Sequence, residues 1–304
     1  MAKKFRISKK AVREAFKKCQ RTRAEGVNGE TIREFRLNRK RRLHQLWRQL
    51  SSGKYKPTPF RKGYRRKPSG GWRTVRVPAV RDRIVQLILK KKLAAKFNTL
   101  FYPNSFLHKK GNKKRAAIET ARRRCLRYNW AVILDVKDYG ETVDHKILMS
   151  KLRKHVKSRW VTLYTHRMLK APTRMRNGAL VKRRKGLPKD NILSFILGDF
   201  YMHNIFDRWM KKNHPGIPFE RWMDDIVIHC RTKSTAQKLL FQSKNRFRRY
   251  KLSKNPKKTK IVYCKDSRRK RTYRNVTFSF LERSFRSRKK KTKHGKHIKI
   301  FGPG

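Results

Sequence analysis

Acidic residues are scarce in this sequence. Only 18 Asp and Glu stand against 88 Lys and Arg, so the formal net charge is +70 over 304 residues. A compact chain with this charge repels itself unless a polyanion binds it, and phosphate backbones bind basic surfaces through counterion release. We therefore expect a nucleic acid as partner. An anionic membrane is the alternative, but the basic residues are spread along the whole chain.

Long apolar runs and cysteine motifs are also missing. No run of about 18 apolar residues occurs, so we expect no membrane-spanning segment. Cys19, Cys125, Cys230 and Cys264 lie far apart and match no zinc or redox spacing, which indicates a reducing compartment. The basic N-terminus lacks the apolar core of a secretory signal, and two interpretations stay open: an organelle transit sequence, or a first helix capped by Ser8.

The apolar content is low but sufficient for a core. Hydrophobic residues make up 37%, with 17 Phe, 10 Tyr and 6 Trp. A chain of this length forms one large domain or two small ones. Apolar periodicity predicts basic amphipathic helices near residues 8–20 and 30–50, and Gly70-Gly71 between two basic arms predicts a hairpin.

Three carboxylates interrupt this basic background. The apolar strand Ala131–Leu134 ends at Asp135, and Asp224-Asp225 occupy the turn between two strand-like segments in "RWMDDIVIHC". If this hairpin packs beside the Asp135 strand, the three acids converge and need cations between them. Two Mg²⁺ ions bridged by such acids promote displacement at phosphorus. An ordinary Asp-Asp turn is the alternative.

These motifs resemble the group II intron-encoded reverse transcriptases. The palm motif of that family corresponds to residues 222–225, with Trp222 in place of the usual Tyr, and its first-aspartate segment corresponds to residues 135–145. "GGWRTVRVPAVRDRIVQ" resembles the fingers segment that holds the incoming triphosphate. The resemblance implies an α+β fold with reverse-transcriptase-like fingers and palm, an antiparallel palm sheet with flanking helices, basic N-terminal helices and a basic C-terminal tail.

The resemblance covers about residues 8–304 and implies a domain organisation. We expect a basic N-terminal helical extension at residues 1–60, a fingers-like region at 61–125, a palm-like region at 126–285 and a basic C-terminal tail at 286–304.

The resemblance also assigns candidate roles to individual residues. The catalytic and metal-binding candidates are Asp135, Asp224 and Asp225, with Mg²⁺ as the cofactor if the chain is catalytic. The candidates for nucleotide binding are Lys67, Arg73, Tyr139 and Lys189. The candidates for RNA binding are Arg65, Arg66, Lys109, Lys110, Lys257, Lys258, Lys289, Lys290 and Lys291.

Several departures from the family pattern fall on parts that grip template and primer. The family's Gly-Thr-Pro-Gln-Gly-Gly loop is Gly-Leu-Pro-Lys-Asp-Asn at residues 186–191, and its primer-contacting Leu-Gly-Tyr is Leu-Glu-Arg at residues 281–283. The chain ends at Gly304, about where the thumb of the family would begin. Because a misplacement of about 1 Å can cost about 100-fold in rate, these departures predict impaired polymerisation.

Three hypotheses for the function follow. The first is an RNA-binding protein derived from a reverse transcriptase, acting as a structural or chaperone component of a ribonucleoprotein such as an organellar ribosome. The second is an active Mg²⁺-dependent RNA-directed DNA polymerase, and the third is an intron-splicing maturase. Enzymatic activity is left open. The expected partners are a large structured RNA, either ribosomal or intronic, and other ribonucleoprotein subunits, without a membrane. The expected location is the mitochondrial or another organellar matrix, with the bacterial cytoplasm as the alternative.

Overall fold

The computed structural model describes residues 5–19, 25–66, 70–107, 113–188, 191–291 and 297–304, without the side chain of Arg73. The predicted residues Lys67, Lys109, Lys110 and Lys189 lie outside the described ranges. Two units divide the chain, one formed by residues 1–100 and 140–198, the other by residues 101–139 and 199–304. The predicted domain boundaries, which follow the family resemblance, stay predictions.

Helices and strands are interspersed along the chain. The α-helices are α1 Lys9–Cys19, α2 Ile32–Leu37, α3 Arg39–Ser51, α4 Val80–Phe97, α5 Lys113–Arg127, α6 Tyr139–Thr142, α7 His145–His155, α8 Arg159–Lys170, α9 Ile192–Met202, α10 Arg208–Asn213 and α11 Lys233–Arg249, with a π-helical segment at His203–Asp207. The strands are β1 Phe60–Arg66, β2 Trp72–Val77, β3 Trp130–Leu134, β4 Thr173–Arg174, β5 Leu180–Val181, β6 Phe219–Trp222, β7 Asp225–Cys230, β8 Lys260–Tyr263, β9 Phe278–Phe280, β10 Arg283–Lys291 and β11 His297–Pro303.

The first unit combines the N-terminal helices with a small sheet of strand order β2-β1-β4-β5. Helix α2 begins with a capping box, in which the Thr31 hydroxyl accepts from the Glu34 backbone N–H and the Glu34 carboxylate accepts from the Thr31 backbone N–H. Strands β1 and β2 pair antiparallel from Arg61 opposite Val77 to Arg66 opposite Trp72. The hairpin predicted around Gly70-Gly71 is therefore confirmed, and both glycines have positive φ.

The second unit contains the sheet that carries the predicted acidic residues. Its strand order is β6-β7-β3-β8, and every pairing in it is antiparallel. Strand β3 is buried along its entire length, which explains why its sequence is an unbroken apolar run rather than an alternating one. The predicted α+β fold with an antiparallel sheet of this kind is confirmed.

A second sheet of this unit, of order β11-β10-β9, packs into the same core. Phe285 of β10 and Phe301 of β11 are fully buried in a cluster that also contains Ala121 of α5 and Val262 of β8. Residues 286–304, predicted as a basic tail, thus lie mostly in the strands β10 and β11. These two strands are anchored in the core by Phe285 and Phe301. Within the described part of the chain, no helix is both long and apolar enough to cross a bilayer.

Candidate functional site

Strand register brings Asp135 and Asp225 side by side. Leu134 of β3 pairs with Ile226 of β7 in an antiparallel ladder. The next opposed positions along that ladder are Asp135 and Asp225, because in an antiparallel pair the partner number falls as the residue number rises. The pairing of two buried apolar strands therefore fixes the approach of these carboxylates.

The turn between β6 and β7 adds the third carboxylate. Trp222 pairs with Asp225, so Met223 and Asp224 are the two central residues of a tight hairpin turn. Met223 has a φ of 56°, a conformation that costs a residue with a Cβ about 1 kcal/mol or more. Backbone strain of this kind concentrates at functional sites, where the surrounding structure holds it in place.

Asp135 is anchored from the segment that precedes β8. Its carboxylate Oδ1 accepts from the Asn255 side-chain amide at 2.8 Å, and Oδ2 accepts from the Lys258 ammonium at 2.8 Å. Its backbone carbonyl accepts from the Asn255 backbone N–H at 2.7 Å. Asp135 is itself buried, so these contacts satisfy a carboxylate that little water reaches.

The crowding of the carboxylates perturbs their titration. Burial, together with the charges of Asp225 and Asp135, raises the pKa of Asp224 to about 7. Burial and the charge of Asp135 raise the pKa of Asp225 to about 6. The hydrogen bond to Asp135 raises the pKa of Lys258 above its ordinary value. Strongly perturbed acids that share one cleft are typical of functional sites.

An open cavity of about 560 Å³ lies beside these acids. Its wall includes Asp135, Asp225 and Trp222, together with the lysines Lys114, Lys257, Lys258 and Lys260. Anionic and cationic side chains therefore line the same space, which is large enough for part of a nucleotide.

The donor chemistry of the acids suits Mg²⁺, but their arrangement does not. Three carboxylates are hard oxygen ligands of the kind Mg²⁺ prefers. Both oxygens of Asp135 are nevertheless engaged by Asn255 and Lys258. Among the described residues, no three His, Cys, Asp or Glu side chains are placed to hold one metal ion. The structure thus brings Asp135, Asp224 and Asp225 together, and their metal-binding role stays a prediction.

A buried ion cluster of Arg221, Asp199 and Asp207 supports the β6–β7 turn. Arg221 of β6 is fully buried and donates to Asp199, to Asp207 at 2.6 Å and to the Met223 carbonyl at 3.0 Å. Ser105 accepts a further hydrogen bond from the guanidinium at 2.9 Å. Burial acts to lower the pKa of Arg221, but the two carboxylates outweigh it and raise that pKa. The same guanidinium that neutralises two buried acids therefore holds the backbone of the strained turn.

Sequence reasoning missed this cluster, although a signal for it exists. Asp199 and Asp207 are two acids inside the most apolar stretch of a chain that has few acids. Buried carboxylates in such a helix need a cationic partner. Residues eight apart on a regular α-helix are offset by about 80°. The π-helical segment at His203–Asp207 adds residues to that turn and reduces the offset, so both acids reach Arg221.

The other predicted residues have varied settings. Tyr139 is buried, and burial together with the charge of Asp224 raises its pKa well above the ordinary value. The side chains predicted to bind RNA that the structure describes are all exposed: Arg65 and Arg66 on β1, Lys257 and Lys258 before β8, and Lys289, Lys290 and Lys291 on β10. Their exposure is compatible with phosphate binding.

Replacing Asp224 by Asn is expected to stabilise the fold at alkaline pH. The raised pKa means that the folded chain binds more protons than the unfolded chain between about pH 4 and pH 7, so stability falls as the pH rises through this window. Asp224→Asn removes this loss. We expect a gain of about 2 kcal/mol at pH 8, discounted for partial exposure, which disappears below about pH 4.

Thermal unfolding followed by Trp fluorescence measures this effect, with dextran sulfate present as a polyanion whose sulfate esters stay ionised throughout this range. Glu119→Gln is the control, because Glu119 is paired with Arg122 on a solvent-accessible helix face and should change stability by less than about 0.5 kcal/mol. A gain for Asp224→Asn that is the same at pH 4 and pH 8 would show that charge repulsion is not its cause.

The fold and the acidic turn together define a class of protein. An antiparallel sheet on which one strand ends in an Asp beside a hairpin that carries two more is the palm of a nucleic-acid polymerase. Residues 65–294 match the family model described as reverse transcriptase (RNA-dependent DNA polymerase). With three quarters of its length matched, the chain belongs to the reverse transcriptase family, within the group that comprises the group II intron-encoded reverse transcriptases and maturases.

Curated relatives support this placement. The chain is 28% identical over 189 residues to the COX1/OXI3 intron 1 protein of Saccharomyces cerevisiae, covering 57% of this chain and 22% of that protein. It is 26% identical over 280 residues to protein YkfC of Escherichia coli, covering 80% of this chain and 72% of that protein. It is 24% identical over 165 residues to the group II intron-encoded protein LtrA of Lactococcus lactis, covering 54% of this chain and 27% of that protein. The chain thus spans about a quarter of the two intron-encoded relatives.

Solved structures confirm the reverse-transcriptase-like fold. Apo telomerase from Candida tropicalis, truncated from its C-terminal domain, superposes with a TM-score of 0.57 at 15% identity over 75% of this chain and 53% of that chain. Telomerase from Candida albicans, in complex with a fragment of telomeric RNA, superposes with a TM-score of 0.55 at 12% identity. The superposition covers 84% of this chain and 48% of that chain. At this identity the likeness concerns the fold.

Proposed function

We propose that this chain is an RNA-binding protein derived from a group II intron reverse transcriptase, which polymerises little and holds a large structured RNA within a ribonucleoprotein. The observation that carries the proposal is a net charge of +70 on a reverse transcriptase fold. A polymerase must let its nucleic acid slide. A surface with this excess of cations binds phosphate tightly and suits permanent association with a folded RNA.

The exposed basic side chains support RNA binding in each unit separately. In the first unit, Arg65 and Arg66 project from the β1–β2 hairpin into solvent. In the second unit, Lys289, Lys290 and Lys291 are exposed in succession on β10. In a regular strand Lys289 and Lys291 project from one face and Lys290 from the other, at fixed spacing, so they bind phosphates at a smaller entropic cost than a flexible tail would.

Two features of the second unit support weak polymerisation. Leu281 and Glu282, where the family has its primer-contacting segment, form a tight turn with φ of 51° and 67° between β9 and β10. Asp135 is engaged by Asn255 and Lys258. The altered template loop at residues 186–191 adds to these, although Lys189 and Asp190 lie outside the described residues. The nucleotide-binding roles of Lys67, Arg73, Tyr139 and Lys189 stay predictions.

The identity of the RNA and the location of the protein belong to the same proposal. We propose ribosomal or intron RNA in an organellar matrix, together with other protein subunits of the particle. The likeness to an intron protein of Saccharomyces cerevisiae supports an organellar setting, whereas YkfC of Escherichia coli keeps the bacterial cytoplasm as the alternative.

Sequencing of the RNA that co-purifies with the full chain from its source tests the proposal. We expect one large structured RNA in an approximately equimolar amount, retained through washes at moderate salt. Asp135→Ala should leave this RNA bound or slightly tighter, because it removes a negative charge near phosphates. Recovery of free protein at moderate salt, or of a random RNA mixture, would contradict the proposal.

Intron splicing is the second candidate function, favoured by the similarity to an intron-encoded protein, LtrA. A maturase should accelerate splicing of its group II intron at low Mg²⁺ in vitro, and this acceleration should survive Asp224→Asn. An active polymerase, favoured by the convergence of the three acids, should instead extend a primer and lose that activity on Asp224→Asn.

A further inference from the structure

We propose that Lys258 is a tethered counter-cation which, together with Asn255, closes Asp135 to divalent metal ions. The ammonium of Lys258 lies 2.8 Å from Oδ2 of Asp135, and the side-chain amide of Asn255 lies 2.8 Å from Oδ1. A metal ion that binds the three acids must displace at least one of these donors. The inference concerns the carboxylates alone and does not depend on the proposed RNA binding.

The backbone on both sides of Lys258 positions its side chain beside the Asp135 carboxylate. Three residues before it, Asn255 donates its backbone N–H to the Asp135 carbonyl at 2.7 Å. On the other side, the Thr259 hydroxyl lies 3.3 Å from the Asp135 backbone N–H and accepts from it. Residues 255–259 are thus held against Asp135 at both ends, so the backbone of Lys258 stays within reach of the carboxylate.

The contact between Lys258 and Asp135 balances negative charge among the three carboxylates. Asp135, Asp224 and Asp225 repel one another at the end of β3 and at the β6–β7 turn. Mutual repulsion of this kind is relieved by a cation, whether a metal ion or an ammonium group. Lys258 supplies a cation that the chain carries itself. Its side chain is 64% exposed, so it can also be displaced into solvent.

Neighbouring lysines provide a matched comparison. Lys257 and Lys260 line the same cavity as Lys258. Among the hydrogen bonds of the described residues, those accepted by the Asp135 carboxylate come from Asn255 and Lys258 and not from these two lysines. Lys257→Met therefore removes the same charge from the cavity and leaves the contact with Asp135 intact.

Local cleavage of the polypeptide by bound Fe²⁺ with ascorbate and peroxide measures access of a divalent ion to the acids. The cut sites are mapped by mass spectrometry, and cuts that persist when Asp135 is replaced by Asn are assigned to metal bound elsewhere, including metal on co-purified RNA. In Lys258→Met we expect cuts within residues 133–137 and 222–227 at an Fe²⁺ concentration at least about tenfold lower than in the original chain. Lys257→Met should change the Fe²⁺ concentration needed for these cuts by less than about threefold. Lys258→Arg, which keeps the cation, should behave like the original chain.

Further variants make each outcome decisive. Asp135→Asn combined with Lys258→Met should lose the new cuts, which shows that they arise at Asp135. If Lys258→Met does not fold, Lys258→Gln, which keeps a donor but no charge, is measured in its place. Equal Fe²⁺ dependence in the original chain and the Lys258 variants, or an equal gain in Lys257→Met, would overturn the proposal. Loss of RNA binding would leave this result unchanged, so the two proposals fail separately.

Discussion

Arg221→Met is expected to abolish stable folding of the second unit. The substitution leaves Asp199 and Asp207 buried without their cation and removes the donor to the Met223 carbonyl. Removing one partner of a buried ion cluster typically costs about 3–5 kcal/mol, a large part of the stability of a domain. We therefore expect little soluble protein, and in what is recovered a loss of the cooperative thermal transition.

The matched control is Arg208→Met. Arg208 is exposed at the start of α10, so its loss removes one charge and leaves the buried cluster intact. We expect its stability to change by less than about 0.5 kcal/mol. Adding Asp199→Asn and Asp207→Asn to Arg221→Met should restore part of the stability, since the uncompensated charges are then gone. A stable Arg221→Met chain would mean that the cluster does not support the fold.

Exchanging Lys289, Lys290 and Lys291 for Gln is expected to weaken RNA binding on the order of 100-fold at about 0.1 M salt. Each phosphate contact contributes about 0.7–0.9 to the slope of log affinity against log salt, so the slope should become shallower by about 2–3. The fold should survive, because these lysines are exposed while the root of the hairpin is held by buried Phe285 and Phe301.

Filter binding of the partner RNA over a salt series measures both quantities. The triple Lys→Arg exchange at the same positions is the control, because it keeps the three charges and should keep the slope. The loss should be similar for unrelated structured RNAs, as expected for phosphate contacts that carry no base information. An unchanged slope in the Gln variant would show that this end of β10 does not touch RNA.

Much of the acidic site was predictable from local patterns. The buried run of β3 that ends at Asp135, and the short strands on both sides of Asp224-Asp225, fixed which residues lie at strand ends. Pairing of two apolar strands side by side is the simplest way to bury both, and it brings the three acids together. The resemblance to a known family supplied the expectation of an antiparallel palm sheet, which periodicity alone does not determine.

The supporting contacts were not predictable in the same way. Arg221 is one of 88 basic residues, and no local pattern distinguishes it from the exposed ones. Its partners are 14 and 22 residues away, and their common orientation depends on a π-helical segment that sequence propensities do not signal. Lys258 and Asn255 lie more than 100 residues from Asp135, so their contacts with its carboxylate follow from the fold alone.

Primer extension by the RNA-bound chain tests most directly the central claim that this fold holds RNA rather than copies it. The same preparation is assayed for bound RNA and for nucleotides incorporated per bound chain on a primed RNA template with Mg²⁺. We predict full occupancy by RNA with incorporation no greater than that of Asp224→Asn. Efficient extension that disappears in Asp224→Asn would contradict the claim.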